Sequence, residues 1–155
     1  MHIVIKHIVS NIGISLFLLF SILLGFNAYA EQSAEETIKA RKALFSKNYR
    51  TAKKVQSLSA SGEFDEAKKL MIEMSDNYKI LIKLFPDNTK EGFKTEALPI
   101  IWEEKDAFNN LMQKSSDDMI KLTSLIEETD DVGGTIKQLM WSNCKACHNK
   151  YRAPH

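Results

Sequence analysis

The chain has 155 residues, 44% of them hydrophobic and 26% charged, which suits one domain of ordinary size, soluble once its first segment is set aside. Its 21 basic and 20 acidic residues are interspersed and leave a formal charge of +1. No basic stripe with interleaved aromatics argues for nucleic acid, and no block of like charge marks a disordered tail. Runs such as Lys53-Lys54 and Glu103-Glu104 read as solvated helix faces.

The first segment is Met1 to Ala30. It carries Lys6, an apolar run from Ile12 to Phe26, and Ala28-Tyr29-Ala30 before an abrupt change to charged residues at Glu31. That is the layout of a cleavable secretory signal peptide. The competing reading is an uncleaved membrane anchor, since Ile8 to Ala30 could nearly span a bilayer of about 20 residues' depth. Asn11, Ser15, Ser21, Gly25 and Asn27 interrupt the run, and the small-residue site ends it, so cleavage is the expectation. Removing Lys6 and no acid then brings the mature chain, residues 31–155, to about zero net charge.

The mature part reads as four helices with little strand signal. The first opens at Ser33, with Glu36 three residues on in a capping-box pattern. It runs to about Leu58 with Ile38, Phe45, Ala52 and Val55 on one face and stops near Ser61-Gly62. The second spans about Phe64 to Leu84, turning Met71, Met74, Tyr78 and Leu81 inward, and Pro86 ends it. A polar loop from Pro86 to Ala97 follows, longer than the median connection. Pro99 suits the first turn of a third helix, expected to continue to about Ile126 with Trp102, Phe108, Met112, Met119 and Leu122 as its apolar contributors. Short connections make neighbours antiparallel, so the predicted fold is an all-α, up-down-up-down four-helix bundle.

The fourth helix is predicted from Val132 to about Tyr151, capped in the Thr129-Asp130-Asp131 turn. Gly133-Gly134 weakens its first turn, and the sequence offers no reason for the pair. Its second half reads M-W-S-N-C-K-A-C-H-N-K-Y-R from Met140 to Arg152 and holds both cysteines of the chain, Cys144 and Cys147, followed by His148. C-x-x-C-H is the attachment signature of c-type haem. On a helix, positions three and four apart share a face. Two thiols can therefore add to the haem vinyl groups while the imidazole reaches the iron.

Three other readings fit less well. A Cys144–Cys147 disulfide would close a loop too short to gain much entropy and would suit helical geometry poorly. A thioredoxin-like pair would want its reactive cysteine at a helix N-terminus within a βαβ unit. Zinc would need four ligands, and only Cys144, Cys147, His148 and His155 are offered, the first three too close in sequence to close a tetrahedron. Export agrees with the haem reading, because bacteria attach haem covalently outside the cytoplasm. Thioether bonds would also remove two free thiols from an oxidising compartment.

The mature chain resembles the class II c-type cytochromes, the cytochrome c prime family. The resemblance rests on C-K-A-C-H-N-K-Y-R at Cys144 to Arg152, L-P-I-I-W at Leu98 to Trp102 with Phe108 beyond, and I-K-A-R-K-A-L-F at Ile38 to Phe45. The Pro86 to Ala97 loop is a little longer than is usual in the family. The resemblance implies one haem c held by Cys144 and Cys147, with His148 as the proximal iron ligand. It places Arg152 beside that imidazole, where a cation would tune the iron; a cation complementing a helix C-terminus is an equally good account. It sets Arg41 against a haem propionate, with a snorkelling surface arginine as the alternative.

By the same resemblance, Phe45 faces the sixth coordination site. Low-spin members carry methionine there, whereas members with an apolar residue leave the iron five-coordinate and high-spin; plain core packing of Phe45 is compatible with either. Phe85, Trp102 and Phe108 would wall the haem. Met71, Met74, Met112, Met119 and Met140 read as gap-filling core.

Two functions follow. One is a periplasmic haem protein that takes NO, and CO, on the vacant distal face, with anions disfavoured in an apolar, donor-poor pocket. The other is an electron carrier between periplasmic redox partners. A peroxidase-like enzyme would need a distal acid–base residue, and the mature chain offers no histidine for it besides His148 and His155. Homodimerisation through the first two helices is common in the family.

Overall fold

The computed structural model describes residues 33–154. The Met1 to Ala30 segment and His155 lie outside the described residues. Helix α1 spans Ala34–Ala60 and opens on the expected capping box: Ser33 Oγ accepts from the Glu36 amide at 3.2 Å while the Glu36 carboxylate accepts from the Ser33 amide at 3.1 Å. It closes on a Schellman motif. Gly62 takes φ +77°, the Glu63 amide reaches Leu58 O at 2.9 Å, and the Gly62 amide reaches Ser59 O at 3.2 Å.

Helix α2 covers Phe64–Leu81 and tightens into a 3₁₀ turn at Ile82–Leu84. A second 3₁₀ turn, Asp87–Thr89, begins the loop, and Gly92, Phe93 and Lys94 then follow one another in the left-handed region at φ +84°, +49° and +54°.

The third helix is broken, which corrects the expectation of one helix from Pro99 to Ile126. Short α3, Ile100–Glu103, is separated from α4, Lys105–Leu125, by Glu104 at φ −115°, ψ 45°. Both sides of the break are tied to the end of the second rod. The Trp102 indole N–H donates to Phe85 O at 3.1 Å, and Lys105 Nζ donates to the same carbonyl at 2.6 Å. Periodicity in the sequence carries no trace of that clamp.

The last rod is also interrupted. Helix α5, Val132–Ile136, passes through a π-helical turn, Lys137–Trp141, into α6, Ser142–Tyr151. The Ser142 amide and hydroxyl both bond Lys137 O, so one extra residue is accommodated just before the cysteines. Such bulges gather at functional sites.

Asp131 caps α5 through its carboxylate, which accepts from the Gly134 amide at 2.8 Å. A Cβ on Gly134 would stand 2.0 Å from Asp131 Oδ2, so this glycine makes room for the cap. Gly133 has only ordinary contact there, 3.9 Å.

Contacts between rods show neighbours running in opposite directions. Arg41 reaches Leu84 and Asn48 pairs with Asn77; Lys68 pairs with Glu127 and Ser75 with Ser116; Lys114 reaches Asn143 and Glu104 reaches Lys150. In each set one number rises as the other falls. The result is an antiparallel four-helix bundle.

Its core holds Val55, Met71, Met74, Leu81, Met119 and Leu122, all buried. Ser75 and Ser116, both fully buried, exchange a 2.8 Å hydroxyl contact where α2 and α4 pack together. Among the described residues the β-pairing is one isolated antiparallel bridge, Ala97 to Arg152. No described helix is long and apolar enough to cross a membrane.

Candidate haem-binding cavity

At one end the rods part around a cavity of about 810 Å³. Helix α6 forms one wall, with Cys144, Cys147, His148 and, just past its end, Arg152. Helix α1 forms another with Arg41, Phe45 and Asn48. These are spaced three and four apart, so the helical repeat alone turns them to one side. Phe85, Phe108 and Met112 close the inner end.

Of the predicted site residues, all but one line this space. Trp102 stands behind it, 6.0 Å from the Phe85 ring, its N–H committed to Phe85 O and Pro86 O. The rings form a continuous arc: Phe45 to Phe85 at 6.4 Å, Phe85 to Phe108 at 4.7 Å, and Phe108 to Tyr151 at 5.2 Å, all edge-on.

Neither cysteine is in a disulfide, and both are half-buried. Burial raises the Cys144 thiol pKa above its ordinary value and pushes Cys147 up to about 12, with the neighbouring Cys144 adding to the effect. Raised thiols are the reverse of what an exchange-active C-x-x-C pair requires. Among the described residues no group of three or more His, Cys, Asp or Glu side chains is placed to hold a metal ion.

Arg41 is 2% exposed and forks into the loop rather than into solvent. It donates to Leu84 O (3.2 Å), Thr89 Oγ1 (2.9 Å), Thr89 O (3.0 Å) and Thr95 Oγ1 (2.6 Å), with its guanidinium 4.5 Å from the Phe85 ring centre. Burial lowers its pKa to about 10, so it stays charged at neutral pH. The snorkelling alternative therefore fails: the charged head itself is enclosed. Arg152 has left the helix, at φ −119°, ψ 140°, and lies half-buried between the α6 terminus and the cavity.

The cavity is more polar than a donor-poor pocket. One turn past Phe45, buried Asn48 accepts from Asn77 Nδ2 at 2.8 Å, and its own Nδ2 is buried without a hydrogen-bond partner. Tyr78 places its hydroxyl 4.0 Å from Cys144 Sγ.

On the other side, Asn143 donates to Asp118 at 2.7 Å and to Leu139 O at 2.8 Å, and accepts from Lys114 at 3.3 Å. That network fixes the residue preceding Cys144 against α4. Sequence reasoning missed Asn48, Asn143 and Asp118. A polar residue at an inward helical position was the one available sign.

These residues fit a thioether-linked haem. Two unpaired thiols and an adjacent imidazole share one wall, and the volume lies within the roughly 300–1,000 Å³ usual for cofactor sites. An antiparallel helical bundle with a C-x-x-C-H helix on an aromatic-walled cavity defines a bundle-type c cytochrome.

The family assignment is independent of that geometry. The Cytochrome C' family model matches residues 36–152. A cytochrome c' of Rhodopseudomonas palustris is 31% identical over 121 residues, 76% of this chain and 82% of that one. A cytochrome c-556 of Agrobacterium tumefaciens is 40% identical over 73 residues, 45% of this chain and 58% of that one. The solved cytochrome c' from Rhodopseudomonas palustris superposes with a TM-score of 0.68 at 30% identity, covering 76% of this chain and 96% of the other. This chain belongs to the cytochrome c' family, whose members carry a covalently bound c-type haem.

Proposed function

We propose that this chain is an exported gas-binding cytochrome. In this reading Cys144 and Cys147 would hold the haem and His148 would bind its iron, while the Phe45 side would be left to NO or CO. The observation that carries it is the composition of the cavity wall opposite α6. Phe45, the residue the resemblance sets over the iron, has no lone pair to donate. The haem supplies a metal that changes oxidation state by one electron and takes a diatomic ligand. The chain's own residues enclose it with the Phe45–Phe85–Phe108 arc and fix Asn143, next to Cys144, through Asp118. Binding and redox exchange, rather than turnover of a substrate, suit a site of this kind. Export, and hence the periplasm, is supported by the Met1 to Ala30 layout.

One feature favours the electron-carrier alternative. Met112 lines the cavity and is 1% exposed, so it offers a thioether near the cofactor. Absorption spectra of the ferric and ferrous protein, with and without NO, separate the two. High-spin spectra that change on adding NO are expected. A low-spin spectrum with a thioether band, lost in Met112→Leu, would assign the chain to the carriers.

A further inference from the structure

The charge around the cavity is out of proportion to the chain. The mature sequence is close to neutral, yet the lining includes Arg41, Lys42, Arg50, Lys145 and Arg152 against a single acid, Glu96. Lys42, Arg50 and Lys145 are exposed as well as lining, which places them at the opening. Among the described residues the eight ion pairs draw on other lysines, so none of these five charges is offset by one. Even the two propionates of a haem would leave the lining as a whole positive.

A second observation comes from the apolar groups at the same opening. Tyr49 is 55% exposed and meets Trp141 edge-on at 6.1 Å, both on the cavity wall. Lys53 stands 4.7 Å from the Tyr49 ring. An aromatic centre in a cationic surround is the anatomy of a protein-docking patch.

A small-anion site would need convergent donors. Here Lys42 Nζ is already taken by Lys94 O at 2.9 Å, while Arg50 and Lys145 are exposed on two different helices.

We propose that this rim, centred on Tyr49, is the docking surface for a redox protein that presents a carboxylate-rich face. The proposal rests on the haem reading above. One electron leaves the partner's reduced centre and reduces the ferric iron; no bond forms or breaks and no proton moves. A cationic opening raises the encounter rate of an anionic partner by about 10- to 1,000-fold, and salt removes the gain.

The test uses the mature holoprotein and outer-sphere reductants of opposite charge, the iron(II)–EDTA anion and hexaammineruthenium(II), over a series of salt concentrations. The anionic reagent should slow as salt rises and the cationic one should speed up. Arg50→Glu with Lys145→Glu should slow the anionic reaction about tenfold at low salt and reverse the trend. Lys121→Glu, exposed and away from the cavity, should change neither. Polyglutamate should compete with the iron(II)–EDTA anion far more strongly than glutamate does, and salt should abolish the competition.

Rates indifferent to salt, or unchanged in the double variant, overturn the proposal. So does polyglutamate that competes no better than glutamate, which would mean small-anion capture. Haem content of the same sample is measured first: a colourless chain sinks the haem reading, whereas a coloured one without these effects sinks only the docking surface.

Discussion

On the proposed reading, Phe45 would control what can happen at the iron because of what its side chain lacks. In the arc with Phe85 it supplies hydrocarbon where a thioether would supply a lone pair. Phe45→Met should therefore convert the spectrum toward six-coordinate and low-spin; a spectrum identical to the parent protein's would mean that Phe45 does not cover the iron. The thiols give a second prediction. In the haem-free fold both pKa values are raised by burial, from 9.0 to about 12 for Cys147. The folded state then keeps protons that the unfolded chain has released, so stability falls as pH rises from about 9 toward 12. Urea midpoints of the haem-free protein at neutral and alkaline pH measure that slope. Cys144→Ala with Cys147→Ala should flatten it.

Among the elements, α5 shows how local chemistry fixes an end. The two glycines at its start look equivalent in sequence, but the Asp131 carboxylate folds over only one of them. Gly134→Ala should push that carboxylate off the cap and cost about 1 kcal/mol. Gly133→Ala has room and should stabilise the helix by about 0.5–1 kcal/mol. Chemical denaturation of the two variants should thus give midpoints displaced in opposite directions. The break at Glu104 and the π turn before Ser142 are set by partners on other rods and by one surplus residue, not by any helix breaker. Leu84, Thr89 and Thr95 are drawn to α1 by Arg41, which anchors the loop beside the cavity.

At the scale of the whole molecule, the antiparallel packing leaves a volume of about 810 Å³ that the side chains do not fill. On the proposed reading, a haem linked through the C-x-x-C-H helix would account for it. Acid–organic extraction should leave the cofactor on the native chain, and Cys144→Ala with Cys147→Ala should release it into the organic phase. Retention of colour by the double variant would mean that the thioether bonds are not what holds the haem. The charge asymmetry also belongs to this scale: a neutral sequence becomes a polar surface only when α1 and α6 bring Arg50 and Lys145 to one opening.

Read alone, the amino-acid order specified four helical rods, the capping box at Ser33, the stop at Gly62, the C-x-x-C-H spacing and the family. All of these are local patterns in which the interacting groups lie within one or two helical turns. Tertiary structure decided whatever depends on a partner distant in the chain. It buried the head of Arg41 in the loop, set Trp102 behind Phe85, and split the third rod at Glu104. It also brought Asn48 and Tyr78 to the cavity, two residues that carry no motif. The physical reason is the same throughout: periodicity reports which way a side chain faces along its own helix, while the group it meets there is supplied by another.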